Sequence, residues 1–307
     1  MKFRFKFLFF IIVAFIASAC INPRHIFFHN YKYVEQNRKI ENIRVALVLG
    51  AGGTRGIAHV GVLEVLEKHN IPVDLIVGTS AGSIIGALYA DSLSARDVKK
   101  KVIKLKKWDL LDPSVRNALS LASTTSGLVE GKRMQTFLSK NLSIKNFEQA
   151  KIPTVIVATD IVKQEAFIFN KGPIIPAIMA SSAIPPVIPP VEIYNRALVD
   201  GGVIEPVPVR TAKKYKPKVI IAVDISEPPS RNLPSNTIWL TYWALWTSYN
   251  ELASYQGKMA DVLIKPKLEG FGMFNDNEIE KLYLLGKEAA EKQVAAIKVH
   301  LKAHGIE

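Results

Sequence analysis

Three observations predict an α/β fold built on a largely parallel sheet. Short apolar runs such as Arg44-Val45-Ala46-Leu47-Val48-Leu49 lack the in-out alternation of a half-solvated strand and suit strands buried on both faces. Two of these runs end in glycine-containing turns that lead directly into helix-like stretches. Strand-like and helix-like segments then alternate at short spacing toward the carboxyl end, the pattern of a layered α/β domain.

Taken in order, the first strand spans 44–49, and the helix after its glycines shows an apolar face of Ile57, Val60, Leu63, Val65 and Leu66 up to His69. A second strand, 74–77, precedes a small-residue helix over 81–90. Ser94 and Asp97 read as a capping box for a helix running to Trp108, with Val98, Val102 and Leu105 on one face. A helix over 131–141, strands over 154–158 and 166–169, a helix over 173–182, and strands over 219–223 and 261–264 follow. Trp239, Tyr242, Trp243, Trp246 and Tyr249 recur at helical spacing between residues 237 and 254, and 277–303 reads as a long amphipathic helix. The proline-rich run from Ile184 to Pro190 is predicted to be extended, because each proline disfavours helix for its predecessor. Neither an internal repeat nor a linker to a second domain is visible.

Composition narrows the function. The 307 residues are 49% hydrophobic and 22% charged, which excludes a disordered chain. One cysteine excludes an intramolecular disulfide and a cysteine-based metal site, and the six histidines show no metal-ligand spacing. The net charge of +13 suits an anionic surface, and no nucleic-acid-binding motif accompanies it.

Lys2, Arg4 and Lys6 precede an apolar run from Phe7 to Ala17, then Ser18, Ala19 and Cys20, which is the layout of a secretory signal. The run is shorter than the roughly 20 residues a bilayer span requires. The sole cysteine stands where a bacterial lipoprotein signal places its lipidated residue, while Ala17-Ser18-Ala19 also fits ordinary A-x-A cleavage. The expected organisation is a signal peptide over 1–19, a tether over 20–41 after a lipidated Cys20, and a catalytic domain over 42–307. Removing the signal takes away three basic residues and no acid, so the remainder stays strongly basic. With Ile21 following Cys20, an exported, membrane-anchored lipoprotein of the cell envelope is expected, in the outer membrane if there are two.

Gly78-Thr79-Ser80-Ala81-Gly82 is a G-x-S-x-G match set between a predicted strand and a predicted helix, the context a nucleophile elbow demands. Ser80 is the candidate nucleophile. Upstream, Gly50-Ala51-Gly52-Gly53-Thr54-Arg55-Gly56 sits at another strand-to-helix junction, where open backbone lets amides converge on an anion. The interval from Gly52 to Gly56 does not fit a dinucleotide fingerprint, so an oxyanion hole from Gly52, Gly53 and Thr54 is the better reading, with Arg55 adding positive potential or orienting the loop. After Ser80 the only histidines are His300 and His304, on one face of the final helix, and His59 falls inside the first helix. Asp200, ending an apolar strand before Gly201-Gly202, is the alternative base, although an aspartate before two glycines also suits a plain turn.

Four blocks in order and spacing resemble a bacterial member of the patatin-like phospholipase family: Gly52-Gly53-Thr54-Arg55-Gly56, Gly78-Thr79-Ser80-Ala81-Gly82, Ala180-Ser181-Ser182-Ala183-Ile184-Pro185, and Asp200-Gly201-Gly202. The resemblance implies a three-layer α/β/α sandwich and a Ser80–Asp200 dyad that works without histidine. It further implies hydrolysis of a phospholipid or lysophospholipid acyl ester at a membrane surface, with neither metal nor organic cofactor. The rival readings are a histidine-dependent esterase and a non-catalytic lipid-binding envelope lipoprotein. The lysines at 99–101, 104, 106 and 107 read as a solvated helix face or as contacts for anionic head groups, and the aromatic stripe as core packing or an acyl-chain pocket.

Overall fold

A computed structural model of the chain describes residues 26–28, 31–115, 117, 124–227 and 237–306. The predicted signal peptide and Cys20 lie outside these residues. Among them, nine strands form one sheet: β1 (Ile26–Phe27), β2 (Val45–Leu49), β3 (Leu75–Thr79), β4 (Thr154–Asp160), β5 (Glu165–Phe169), β6 (Val191–Ile193), β7 (Arg196–Asp200), β8 (Val219–Val223) and β9 (Val262–Ile264). Their order is β1-β6-β7-β4-β3-β2-β8-β9, with β5 also on β4. The centre is parallel, β2 pairing with β3 and β8, and β3 with β4; β7 is antiparallel to β4 and β6.

Every residue of β2, β3, β4 and β8 is buried, so both faces of the sheet are covered, as their unbroken apolar character predicts. Alternate side chains divide between two cores. Val45, Leu47, Leu49 and Ile76 pack with α1 (Ile57–Lys68), α2 (Ala81–Ser92), α3 (Ala95–Val102), α5 (Lys132–Asn141), α6 (Ile174–Ser181) and α9 (Ile279–Ala303). Ala46, Val48, Leu75 and Val77 pack on the other face with α7 (Val209–Lys213) and Ala253 of α8 (Thr237–Gly257). The result is the expected three-layer sandwich.

Three expectations need correction. The helix predicted to run to Trp108 stops at Val102, and a separate turn, α4 (Lys107–Leu110), follows after Lys106 adopts an extended backbone. The carboxylates of Asp109 and Asp276 accept the amides of Lys106 and Lys107 at 2.8 Å each, which fixes the break. The proline run is not extended throughout: the amides of Val187 and Ile188 both donate to Ile184 O at 2.8 Å, closing a turn. Proline bars helix but permits turns. The described part of the predicted tether is also docked on the domain. Ile26 and Phe27 pair with Val191 and Glu192, and Arg38 donates to Phe147 O at 2.8 Å.

Sheet register brings the two ends of the predicted dyad together. Residues 154–157 of β4 pair with β3 and residues 158–160 with β7, while β5 covers 156–160. Because β5 overlaps both neighbours in register, it must occupy one edge of β4 while β3 and β7 share the other. These two strands run head to head, with Thr79 opposite Val157 and Asp200 opposite Ala158.

Candidate active site

Ser80 joins β3 to α2 with φ 53° and ψ −122°, a conformation that costs a non-glycine residue about 1–3 kcal/mol. Its neighbours explain the two glycines of the motif: a Cβ on Gly82 would lie 2.0 Å from Leu49 O, and one on Gly78 would lie 2.7 Å from Gly82 O. Close passage of strand and helix thus sharpens the turn and sets Ser80 at the positive end of α2. The residue is 3% exposed. Its amide donates to Ser181 Oγ at 2.9 Å, and Ser181 Oγ donates in turn to Val157 O at 2.6 Å, locking the elbow to α6 and β4.

Asp200 closes β7, its amide donating to Ala183 O at 2.9 Å and its carbonyl accepting Thr159 Oγ1 at 2.9 Å. Oδ1 accepts the Gly202 amide at 2.7 Å. Oδ2 is buried and has no hydrogen-bond partner among the described residues, while the Ser80 hydroxyl lies close enough to favour the charged carboxylate. Geometry and electrostatics therefore agree on proximity, with no aligned hydrogen bond between the two side chains. Burial dominates, pushing the Asp200 carboxyl up to about 7 against the smaller pull of Ser80 and the Gly202 amide. A carboxylate titrating near neutrality is a far better proton acceptor than an exposed aspartate.

The glycine loop follows β2 and opens a short 3-10 turn, Gly53–Gly56, ahead of α1. Gly53 has φ +60°, and a Cβ there would lie 2.5 Å from Met273 O. The amides of Gly52 and Gly53 meet no acceptor among the described residues, whereas the Thr54 amide donates to Met273 O at 2.8 Å. Thr54 is thus removed from the expected set of anion donors, because the 271–275 loop has claimed its amide and, at 2.8 Å, its hydroxyl. Arg55 is 2% exposed and turned beneath the loop, with Nε donating to Gly52 O at 3.2 Å and the guanidinium 5.6 Å from the Trp246 ring. Burial lowers its pKa, and its Nε is held against the Gly52 carbonyl of the loop.

A narrow cavity of about 110 Å³ leads to Ser80, walled by Ile57, Ile84, Leu110, Met134, Ile184 and Ile188 with Lys106 and Lys107 among its lining. The proline turn therefore contributes a wall, and the Ala183 carbonyl just before it anchors Asp200. None of the described aromatics of α8 lines this cavity. Tyr242, Trp246 and Tyr249 instead stack, with the last pair 4.4 Å apart, under Arg55 and the glycine loop; the side chain of Trp239 is outside the described residues.

None of the described histidines lines this cavity. Ile279, at the start of α9, lines the cavity, so His300 lies roughly 30 Å away along a helix rising about 1.5 Å per residue. His59 is fully buried, its Nε2 2.8 Å from Gly50 O, and burial lowers its pKa to about 4, so it is a neutral strut for the loop.

Sequence reasoning passed over two supports. Ser181 was visible within the Ala-Ser-x-Ala-x-Pro block, but only the fold shows that its hydroxyl holds the Ser80 amide. Tyr249 was read as part of an aromatic stripe; its hydroxyl donates to Ala51 O at 2.8 Å while its ring packs over Gly202, tying the glycine loop to the segment after Asp200.

The family model for patatin-like phospholipase matches residues 47–213, which include Ser80 and Asp200. Lysophospholipase NTE1 of Scheffersomyces stipitis is 31% identical over 233 residues, covering 74% of this chain and 15% of that protein. The human patatin-like phospholipase domain-containing protein 6 is 31% identical over 239 residues, covering 73% of this chain and 17% of its own length. The chain thus spans less than a fifth of these relatives. VipD from Legionella pneumophila shares the fold, with a TM-score of 0.54 at 11% identity over 92% of this chain and 73% of that one. With more than half of its length matched by the family model and the four blocks assembled around one buried serine, the chain belongs to the patatin-like phospholipase family.

Proposed function

We propose that the protein is a serine acyl-ester hydrolase of the phospholipase A or lysophospholipase type. The observation that carries this reading is the strained, buried Ser80 beside Asp200, whose Oδ2 is unpaired and whose pKa of about 7 suits a general base. Ser80 Oγ attacks the ester carbonyl carbon as its proton passes to Asp200 Oδ2. The oxyanion is held by the amides of Gly52 and Gly53, and by the favourable potential at the start of α2. Collapse re-forms the carbonyl and breaks the bond from the acyl carbon to the alkoxy oxygen, and Asp200 gives its proton to the leaving alcohol. Water, deprotonated by Asp200, then cleaves the acyl-enzyme and releases the fatty acid with Ser80 restored. The apolar walls of the cavity favour an acyl chain, and the names of the relatives support a lipid ester as substrate.

The amino-terminal reading belongs to the same proposal: residues 1–19 direct export, and an acyl group on Cys20 holds the enzyme on a membrane of the cell envelope. Fatty-acid labelling that persists in Cys20→Ala would refute it.

The catalytic proposal is tested by ester hydrolysis and by labelling with a serine-directed phosphonate. Wild type is expected to turn over and to label, Ser80→Ala to do neither, Asp200→Asn to lose at least 100-fold in rate, and His300→Ala/His304→Ala to stay fully active. Loss of activity in the double histidine variant with retention in Asp200→Asn would overturn the assignment of the base. Wild type inert toward every ester would leave a lipid-binding protein.

A further inference from the structure

The segment that breaks the predicted helix forms a rim of the cavity, since Lys106 both lines it and is exposed. Leu105, Lys107 and Leu110 line it too, while Trp108 is not among the lining residues and is 53% exposed. Lys104 and Lys106, close to it in the chain, are exposed as well. A half-exposed tryptophan on a loose loop would be unremarkable, but this turn is pinned from several sides. The Lys107 amide donates to Asp276 Oδ2 at 2.8 Å, Lys106 Nζ donates to Asp276 O at 2.9 Å, and the Arg133 guanidinium donates to the carbonyls of Trp108 and Leu111. The Lys107 ammonium stands 5.3 Å from the centre of the Trp108 ring. The one acid between Ile103 and Leu111, Asp109, is engaged by the Lys106 amide. The rim is therefore held in place from several sides, apolar at Trp108, flanked by lysines, and continuous with the largely apolar cavity that Ser80 also lines.

We propose that this rim docks on an anionic lipid bilayer. Trp108 enters the interfacial layer, where an amphipathic ring is favoured, and Lys104, Lys106 and Lys107 meet anionic head groups. The cavity then opens onto the membrane, so that an acyl ester passes from bilayer to Ser80 without crossing bulk water. Charge complementarity and continuity with the acyl passage select a bilayer over a protein partner. The inference rests on the lipid-ester reading of the site, and its test separates the two.

The full chain carrying Ser80→Ala, which cannot turn over, is mixed with vesicles of equal phosphatidylglycerol and phosphatidylcholine bearing brominated acyl chains, and tryptophan emission is followed. Quenching is expected, and Trp108→Phe in the same background is expected to remove most of it, even where the amino terminus independently holds the chain on the vesicle. In the active protein, the rate on vesicle lipid relative to a water-soluble short-chain ester is expected to fall about tenfold in Trp108→Ala and about fivefold in Lys104→Gln, with the soluble ester unaffected. Quenching that is unchanged in Trp108→Phe, or an unchanged ratio in both variants, would overturn the proposal. So would a dimer in sedimentation that Trp108→Ala dissociates, since the face would then belong to a second copy. Quenching that depends on Trp108 in a protein inert toward both substrates would support the docking surface while refuting the hydrolase reading.

Discussion

Asp200 should make the folded protein less stable at the pH where it works, and replacing it should reveal by how much. Burial raises its carboxyl from 3.8 to about 7, so between these values the folded chain retains a proton that the unfolded chain has released. Stability from this group is therefore fully present below about pH 4, declines as pH rises, and is lost above about pH 7. A shift of roughly three units at about 1.4 kcal/mol each corresponds to a penalty of about 4 kcal/mol. Asn cannot ionise, yet its Oδ1 can still accept the Gly202 amide. Asp200→Asn is thus expected to gain about 3 kcal/mol relative to wild type on going from pH 4.5 to pH 8, while losing activity. Urea unfolding of both proteins at several pH values measures this difference, provided the slopes agree. A stability difference that stays flat across that range would refute the claim that Asp200 is a buried, destabilised base.

Three further outcomes follow from the same geometry. kcat/KM should rise with pH and level off above about 7, since Asp200 must be ionised to accept the Ser80 proton; a profile that is flat or falling between pH 6 and 8 would contradict the assignment. Gly82→Ala should cost at least about 3 kcal/mol in thermal unfolding and abolish phosphonate labelling, because its Cβ has only 2.0 Å to Leu49 O. Tyr249→Phe keeps the ring over Gly202 but drops the hydrogen bond to Ala51 O, and should lower kcat several-fold at an unfolding cost of about 1 kcal/mol; an unchanged kcat would show that the glycine loop needs no such tie.

Much of this molecule could be read before it was seen, and the exceptions share a cause. Val45–Leu49, Leu75–Thr79 and Val219–Val223 are legible because strands buried on both faces must be apolar throughout. Ser80 is legible because two glycines bracket it for a local steric reason. Asp200 needed the family resemblance, since nothing near it in the chain distinguishes a base from a turn-former; only the register of β4 places it by the serine. The occupied amide of Thr54, the tie from Tyr249 and the turn within Ile184–Ile188 depend on segments remote in sequence or on competition among hydrogen bonds, which periodicity does not encode. The short strands Ile26–Phe27 and Val191–Ile193 have too few residues to show a pattern at all.

The head-to-head arrangement of β3 and β7 on one edge of β4 also sets when the dyad comes into being. The serine is synthesised well before its partner, and the rail that aligns them emerges between the two. A chain growing from its amino end carries the nucleophile through more than a hundred residues of synthesis with no base to activate it. Strand order therefore delays the pairing: Ser80 and Asp200 cannot meet until residue 200 has arrived.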